Sequence, residues 1–72
     1  MFLIDCEEKK EYVIKRTCFD KATSLRASEL GLKRGEKITV VKKYGYGGAV
    51  LYSDGSYISI GKGIASKIEV ED

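Results

Sequence analysis

The segment ELGLKRGEKITV at positions 29–40 is the part of this sequence that says most about the fold. Gly31 suits the left-handed position that follows the last residue of a helix, where a side chain would be strained. Leu32 then falls where it can fold back over the last helical turn, near Ala27. The segment therefore predicts a helix that ends at Leu30 and a tight basic turn that leads into a strand.

A single helix is expected upstream of this turn. Asp20 can act as its N-cap, and residues 21–30 contain no glycine or proline and several good helix formers. The apolar residues of this segment do not form one continuous stripe, so we expect the helix to be short and only partly packed. Before it, residues 10–18 are rich in β-branched and aromatic side chains, which predicts a first strand.

Downstream of the turn, the pattern predicts four further strands. Alternation over residues 36–44 indicates a half-buried strand, and a glycine-rich loop separates it from a strand at 49–52. Asp54-Gly55 is the strongest hairpin signal, because this pair fits a two-residue type I′ turn, and its partner strand is 57–60. A single turn, 3₁₀ in character, is expected at 61–66, and a last alternating strand follows at 67–71.

Five short strands and one helix predict a single all-β domain over residues 1–72, folded as an SH3-like small barrel. Residues 2–4 are expected to add a short edge strand or a covering segment. A core this small is thin, so a homodimer or a larger partner would add stability. The expected buried face consists of Ile14, Ile38, Val40, Val50, Ile58, Ile60, Ile68 and Val70.

The sequence carries no group of residues that points to catalysis, a cofactor or a metal ion. It has no histidine, and its neighbouring carboxylates lie in charged stretches without an apolar pocket. Cys6 and Cys18 do not have the spacing of a redox or metal pair, and we expect both to be reduced packing residues. No enzyme activity, cofactor or intrinsic metal site is therefore predicted.

Charge and hydropathy restrict the kinds of partner and the cellular location that are expected for this protein. Thirteen basic and eleven acidic residues give a net charge of +2, and the pI is near 8.5, which is weak evidence for nucleic acid. The longest apolar run is far short of the roughly 18 residues that a membrane span needs. The N-terminus lacks the basic leader of a secretory signal. We expect a cytoplasmic protein that does not insert into the membrane.

The loop after the second predicted strand combines aromatic and basic residues. Tyr44 and Tyr46 alternate with glycine, and Lys42 and Lys43 precede them. Exposed patches of this kind dock a peptide or a partner surface. The same four residues would also suit an RNA-binding small barrel, with the rings stacking on bases and the lysines facing phosphates.

The order of residues 25–41 resembles the ferrous iron transport protein A (FeoA) family. Arg26 stands four residues before a Leu-Gly-Leu turn, Gly35 follows after two residues, and a β-branched strand comes next. Residues 57–60 and 65–70 also resemble that family's ending, so the similarity extends across nearly the whole chain. The resemblance implies a cytoplasmic accessory protein of bacterial ferrous iron uptake that acts with the membrane permease, whose cytosolic part binds GTP.

On this interpretation the protein binds or modulates the permease and does not itself hydrolyse nucleotide, because it has no Walker-type phosphate-binding run. An SH3-like regulatory domain, similar to the C-terminal domain of metal-dependent repressors and acting in trans, is the alternative. The candidate partner-binding residues lie at the helix end and in the tyrosine loop, and they are Arg26, Glu29, Leu30, Leu32, Lys33, Arg34, Tyr44 and Tyr46.

Overall fold

A computed structural model describes residues 1–72 and contains one antiparallel sheet with two helices. The strands are β1 (Lys10–Thr17), β2 (Lys37–Lys43), β3 (Ala49–Ser53), β4 (Ser56–Ile60) and β5 (Ile68–Glu71). The helices are α1 (Lys21–Glu29) and the single-turn α2 (Lys62–Ala65), and a 3₁₀ turn spans Leu3–Asp5. The spatial order is β4-β3-β2-β1-β5. The predicted all-β, SH3-like architecture with five strands is confirmed.

The sheet curls because its central strands change partner along their length. The first half of β1 pairs with β2, and its second half, from Val13 onward, pairs with β5. Register shifts between Ile14 and Arg16 in β1, and between Val40 and Lys42 in β2, mark the bends. Such irregularities increase the local twist of a strand. They let a short sheet wrap around one thin core.

The helix α1 begins at the predicted residue and ends one residue before the predicted end, with Leu30 as its C-cap. The Thr23 N–H donates to Asp20 Oδ1 (2.7 Å), which caps the first turn. At the other end the Leu32 N–H donates to the Ala27 carbonyl (2.9 Å), and Gly31 has a φ of 86°. A second bond, from the Gly31 N–H to the Ser28 carbonyl (3.0 Å), completes a Schellman motif.

The buried face agrees with the prediction at seven of the eight expected positions, and Val50 is the exception. Asp54 and Gly55 have φ values of 49° and 82°, which is the predicted type I′ turn. This two-residue turn places Leu51 opposite Ile58, and residues opposite each other share a face. Ala49 and Leu51 therefore point inward, and Val50 points outward. The prediction of Val50 in the core is wrong for this reason.

Tyr12 is a core residue that the alternation argument left out. It lies on the same face of β1 as Ile14, and both are almost fully buried. The Glu7 N–H donates to the Tyr12 hydroxyl (3.1 Å), so the one polar atom of this side chain has a partner. An aromatic residue can thus fill the thin core without leaving a buried polar group unsatisfied.

The N-terminal segment both pairs with the sheet and covers it, which combines the two expectations for residues 2–4. The Val70 N–H donates to the Met1 carbonyl (2.7 Å), and Phe2 forms a bridge with Glu69. The following 3₁₀ turn buries Leu3. The single turn predicted at 61–66 is present as α2, with Gly61 and Ser66 as its caps, and it is α-helical instead of 3₁₀.

The two cysteines have different environments. Cys6 is buried, as predicted, and burial raises the pKa of its thiol. Cys18 is exposed, so its prediction as a buried packing residue is wrong. Cys18 lies one residue beyond the end of β1, outside the alternation that buries Ile14.

We expect Gly31→Ala to lower the free energy of unfolding by about 1–2 kcal/mol, because the φ of 86° is unfavourable for a residue with a Cβ. Urea unfolding would measure this change. Gly63→Ala is the matched control, since Gly63 lies in α2 without a positive φ and a Cβ there meets nothing within 4 Å. Equal effects of the two substitutions would contradict the left-handed helix end.

The Asp20 cap should make α1 sensitive to acid. The hydrogen bond from Thr23 holds the pKa of the Asp20 carboxyl below its usual range. A carboxyl whose pKa is lowered by folding stabilises the fold above its unfolded pKa of about 3.9. This stabilisation is lost as the pH falls through the folded pKa. In urea unfolding at several pH values, Asp20→Asn should lose less stability than the wild type below about pH 4, and parallel curves would argue against the cap.

Candidate functional site

The predicted partner-binding residues at the end of α1 divide into an exposed rim and one buried side chain. Arg26, Glu29, Leu30, Lys33 and Arg34 are exposed, and the Leu30 side chain keeps 53% of its surface accessible. Leu32 is only 2% exposed, because the Schellman motif folds it onto the core. Leu32 therefore contributes to a binding surface only as part of its floor.

A groove of about 590 Å³ lies between α1 and the segment formed by the end of β4 and α2. Six of its ten lining residues are hydrophobic, and Arg26 is the only charged one. Such an apolar concavity with few polar groups is typical of binding sites. The lining residues are Ala22, Thr23, Arg26, Ala27, Leu30, Leu32, Ser59, Ile60, Gly61 and Ile64.

The groove exists because α1 does not fully cover the sheet near the end of β4. Ala27 is the only buried residue of α1, and a side chain this small leaves space above Leu32 and Ile60. Prediction from sequence named Arg26, Leu30 and Leu32 but missed the opposite wall, which Ile60 and Ile64 supply. No local pattern brings these residues opposite α1, because Ile60 ends β4 and Ile64 lies in α2, and only the tertiary packing of these two elements places them there.

The second part of the candidate site is the aromatic pair of the loop after β2. The rings of Tyr44 and Tyr46 stack with centroids 5.5 Å apart and an interplanar angle of 11°. The Lys42 Nζ lies 5.7 Å from the Tyr44 ring centroid, within the range of a cation–π contact. Tyr46 keeps 66% of its surface accessible. The predicted exposure of the aromatic patch is confirmed for Tyr44 and Tyr46, with Lys42 beside them, and its role in binding stays a prediction.

Lys43 does not belong to this patch. Its Nζ donates to the Ile4 carbonyl (2.8 Å), and its backbone N–H donates to Glu8 Oε2 (2.7 Å). Lys43 thus fastens the N-terminal segment to the end of β2. The predicted basic patch is smaller by one lysine, which weakens the RNA-binding alternative.

The tyrosine loop and the groove border the same short segment of chain. A Cβ at Gly48 would lie 2.5 Å from Tyr46 Cε2 and 2.9 Å from the Ile60 carbonyl oxygen. A Cβ at Gly47 would lie 2.8 Å from Cγ of Lys62. The loop therefore packs closely on residues 60–62, and residues 60 and 61 also line the groove.

The charged rim at the helix end is net positive, because Arg26, Lys33 and Arg34 outnumber Glu29. The three salt bridges of the structure lie elsewhere, and they are Lys10 with Asp72, Arg16 with Glu69 and Lys37 with Glu11. Arg26, Lys33 and Arg34 take part in none of them. Unpaired, exposed cations beside an apolar groove attract carboxylates without the cost of breaking an existing pair.

A second concavity of about 310 Å³ lies at the other end of β2 and β3. It is lined mainly by polar and charged residues, among them Glu11, Glu36 and Asp54. No group of three metal-ligating side chains converges there or elsewhere in the chain. Neither α1 nor α2 combines the length and apolar character that crossing a membrane requires.

The curled five-strand sheet and its single covering helix define the class of small SH3-like barrel domains. A family model described as the FeoA domain matches residues 1–72, the full length of the chain. The chain belongs to the FeoA family.

Known proteins similar to this chain fall into two groups. Fe(2+) transport protein A of Methanocaldococcus jannaschii is 32% identical over 66 residues, which cover 92% of this chain and 79% of that protein. The crystal structure of an iron uptake regulatory protein (FeoA) has the same fold, with a TM-score of 0.90, 20% identity, and coverage of 99% of this chain and 95% of that one. The manganese-activated repressor ScaR in its apo form gives a TM-score of 0.87 and 25% identity, and the match covers 99% of this chain but 34% of the repressor.

We expect Gly48→Ala to separate the stacked tyrosines, because the added Cβ would displace the Tyr46 ring or the backbone of Ile60. The near-UV circular dichroism of the tyrosines should fall, and nuclear Overhauser contacts between the Tyr44 and Tyr46 rings should weaken. Gly45→Ala is the control from the same loop, since a Cβ there meets nothing within 4 Å. An unchanged stack in Gly48→Ala would contradict the close packing of this loop.

Proposed function

We propose that this protein is a non-catalytic cytoplasmic accessory component of ferrous iron uptake that binds the cytosolic GTP-binding part of the ferrous iron permease. Membership of the FeoA family and the Fe(2+) transport protein of M. jannaschii support the biological process. The observation that carries the binding role is the apolar groove beside α1, which has an exposed leucine and an unpaired arginine at its rim.

The chemistry of the groove supports a protein partner. Leu30 offers an apolar anchor that becomes covered only on complex formation, and Arg26 offers several hydrogen-bond donors on a rigid plane. Aromatic residues and arginine are enriched at the energetic centres of interfaces. The stacked Tyr44 and Tyr46 do not line the groove, but their loop packs on residues 60–62 next to it, so a partner of sufficient size would contact both.

The proposed action is regulation of the partner's nucleotide cycle through binding. A domain of this kind changes GTP turnover only if it binds one state of the permease more tightly than another. The repressor ScaR provides a second candidate, a regulatory domain acting in trans, because its chain contains the same fold at 25% identity. Binding of the isolated protein to the permease, and not to a repressor, separates the two.

We expect Leu30→Ala and Arg26→Glu each to weaken binding of the permease's cytosolic GTP-binding part by more than about 1 kcal/mol, the usual effect at an interface hot spot. Isothermal titration calorimetry would measure the affinities. Leu25→Ala and Lys21→Glu are the matched controls, since both residues are exposed on α1 and neither lines the groove. In a strain that lacks the gene, the controls should restore ferrous iron uptake and the two groove variants should not.

Normal iron uptake in the deletion strain would refute the transport role. Equal affinities of groove variants and controls would instead move the interface away from α1. Free energies of unfolding of all four variants should lie within about 1 kcal/mol of the wild type, because each altered side chain is exposed and a charge change near a helix end has at most about this effect.

A further inference from the structure

The two edges of the sheet differ in how they are protected. The outer edge of β5 is covered by Met1 and Phe2, and β5 carries Glu69 and Glu71. The strand β4 pairs only with β3, and its sequence, SYISI, contains neither a charged residue nor a proline. Natural proteins protect open edges with charges, prolines or a covering segment, because an open edge pairs with other chains. The β4 edge has none of these protections.

The hairpin turn determines which backbone groups of β4 face outward. In a two-residue type I′ hairpin the residues that flank the turn, Ser53 and Ser56, form a hydrogen-bonded pair. Hydrogen-bonded pairs then alternate along the strand, so Ile58 and Ile60 bond to β3. The N–H and carbonyl groups of Tyr57 and Ser59 point away from the sheet. Their spacing is the one that an added antiparallel or parallel strand requires.

The apolar groove begins at this same edge. Ser59 and Ile60 belong to β4 and line the groove. Ile58 and Ile60 are the most exposed members of the core, at 8% and 7%, because no strand covers them on the outer side. A strand added to β4 would direct alternate side chains over Ile60 and toward Leu30 and Leu32. The outward main-chain groups of β4 therefore lie next to the apolar groove, and one added strand could contact both.

Charge restricts what the added strand can be. Arg26 is the only charged residue that lines the groove, and it has no salt-bridge partner. Lys33 and Arg34 do not line the groove, but they are exposed at the same helix end and outnumber the single acid there, Glu29, so the local net charge is positive. A segment that carries carboxylates next to apolar side chains complements this surface, and a basic segment is repelled.

We propose that the β4 edge binds an extended segment of a partner protein by strand addition, with an apolar side chain in the groove and a carboxylate at Arg26. This inference rests on the proposed function in taking the partner to be a protein. It adds the conformation and chemistry of the segment that is bound. A second copy of this chain does not supply such a segment, because its alternating acidic stretch is β5, whose Ile68 and Val70 are fully buried.

Amide hydrogen exchange on the wild-type protein tests the mode of binding. The probe is a synthetic seven-residue peptide of alternating valine and glutamate with blocked ends. On its addition, exchange of the Tyr57 and Ser59 amides should slow by at least about tenfold, because both acquire hydrogen-bond partners. The Ile58 and Ile60 amides, already bonded to β3, should change little. Binding without protection of Tyr57 and Ser59, or no binding, would overturn the proposal.

A matching peptide of alternating valine and lysine tests the charge argument. This peptide should bind at least about tenfold more weakly than the valine–glutamate peptide. Arg26→Glu should reduce or reverse this difference in affinity between the two peptides. Equal affinity for the two peptides would exclude the carboxylate contact. Protection of Tyr57 and Ser59 that grows with protein concentration in the absence of peptide would identify a second copy as the occupant and overturn the proposal.

Ser59→Pro removes one outward N–H while leaving the bonds to β3 in place, as proline permits at an edge strand. It should weaken binding of the valine–glutamate peptide by about tenfold, because one peptide carbonyl loses its donor. Ser59→Ala keeps the N–H and should bind within about twofold of the wild type. Equal binding by both variants would contradict strand addition, and the exchange experiment decides the matter if Ser59→Pro does not fold.

Amide exchange measured with the permease's cytosolic GTP-binding part in place of the peptide distinguishes a failure of strand addition from a failure of the proposed function. If that part binds without protecting the Tyr57 and Ser59 amides, the proposed function stands and strand addition is wrong. If the valine–glutamate peptide protects both amides but the permease part does not bind, the β4 edge serves another partner and the proposed function is wrong.

Discussion

The hydrogen bond from the Leu32 N–H to the Ala27 carbonyl sets the direction in which the chain leaves α1. It turns Leu32 into the core and points the next residues toward β1. The Gly35 N–H then donates to the Ile14 carbonyl (2.8 Å), and the Ile14 N–H donates to the Glu36 carbonyl (2.9 Å). These two bonds align β2 on β1. The position of the helix over the sheet, and hence the groove beside it, follows from this one helix end.

The small core of this domain also explains why an apolar groove stays open beside α1. A domain of 72 residues has few apolar side chains to bury, and α1 contributes only Ala27 to the core. The helix therefore covers the sheet without sealing it against β4. The exposed Leu30 and the slightly open Ile58 and Ile60 are the consequence. Incomplete closure costs some hydrophobic stabilisation and leaves apolar surface exposed, and the proposed partner would cover this surface.

Prediction succeeded where a residue makes a conformational demand on its own backbone. Gly31 and the Asp54-Gly55 pair have the positive φ values that their positions require, so the helix end and the hairpin were found to within a residue. The prediction that Val50 is buried was wrong because alternation within β3 alone does not show which face is inward. The hairpin register, which places Leu51 opposite Ile58, sets that face. The prediction for Cys18 failed for another reason. Residue composition does not show where the chain leaves the sheet, and Cys18 lies just beyond that point.

Local sequence was enough to give the order of the elements and, to within about a residue, the bounds of the helix and strands, because these depend on local backbone preference and on the two-residue period of half-buried strands. It also carried the family resemblance in residues 25–41. Three features could be seen only in the folded chain: which edge of the sheet is covered, the contact of Lys43 with the N-terminal segment, and the groove across which Ile60 and Ile64 face α1. These features join residues that are far apart in the chain, and their positions depend on how all the strands curl around one shared core.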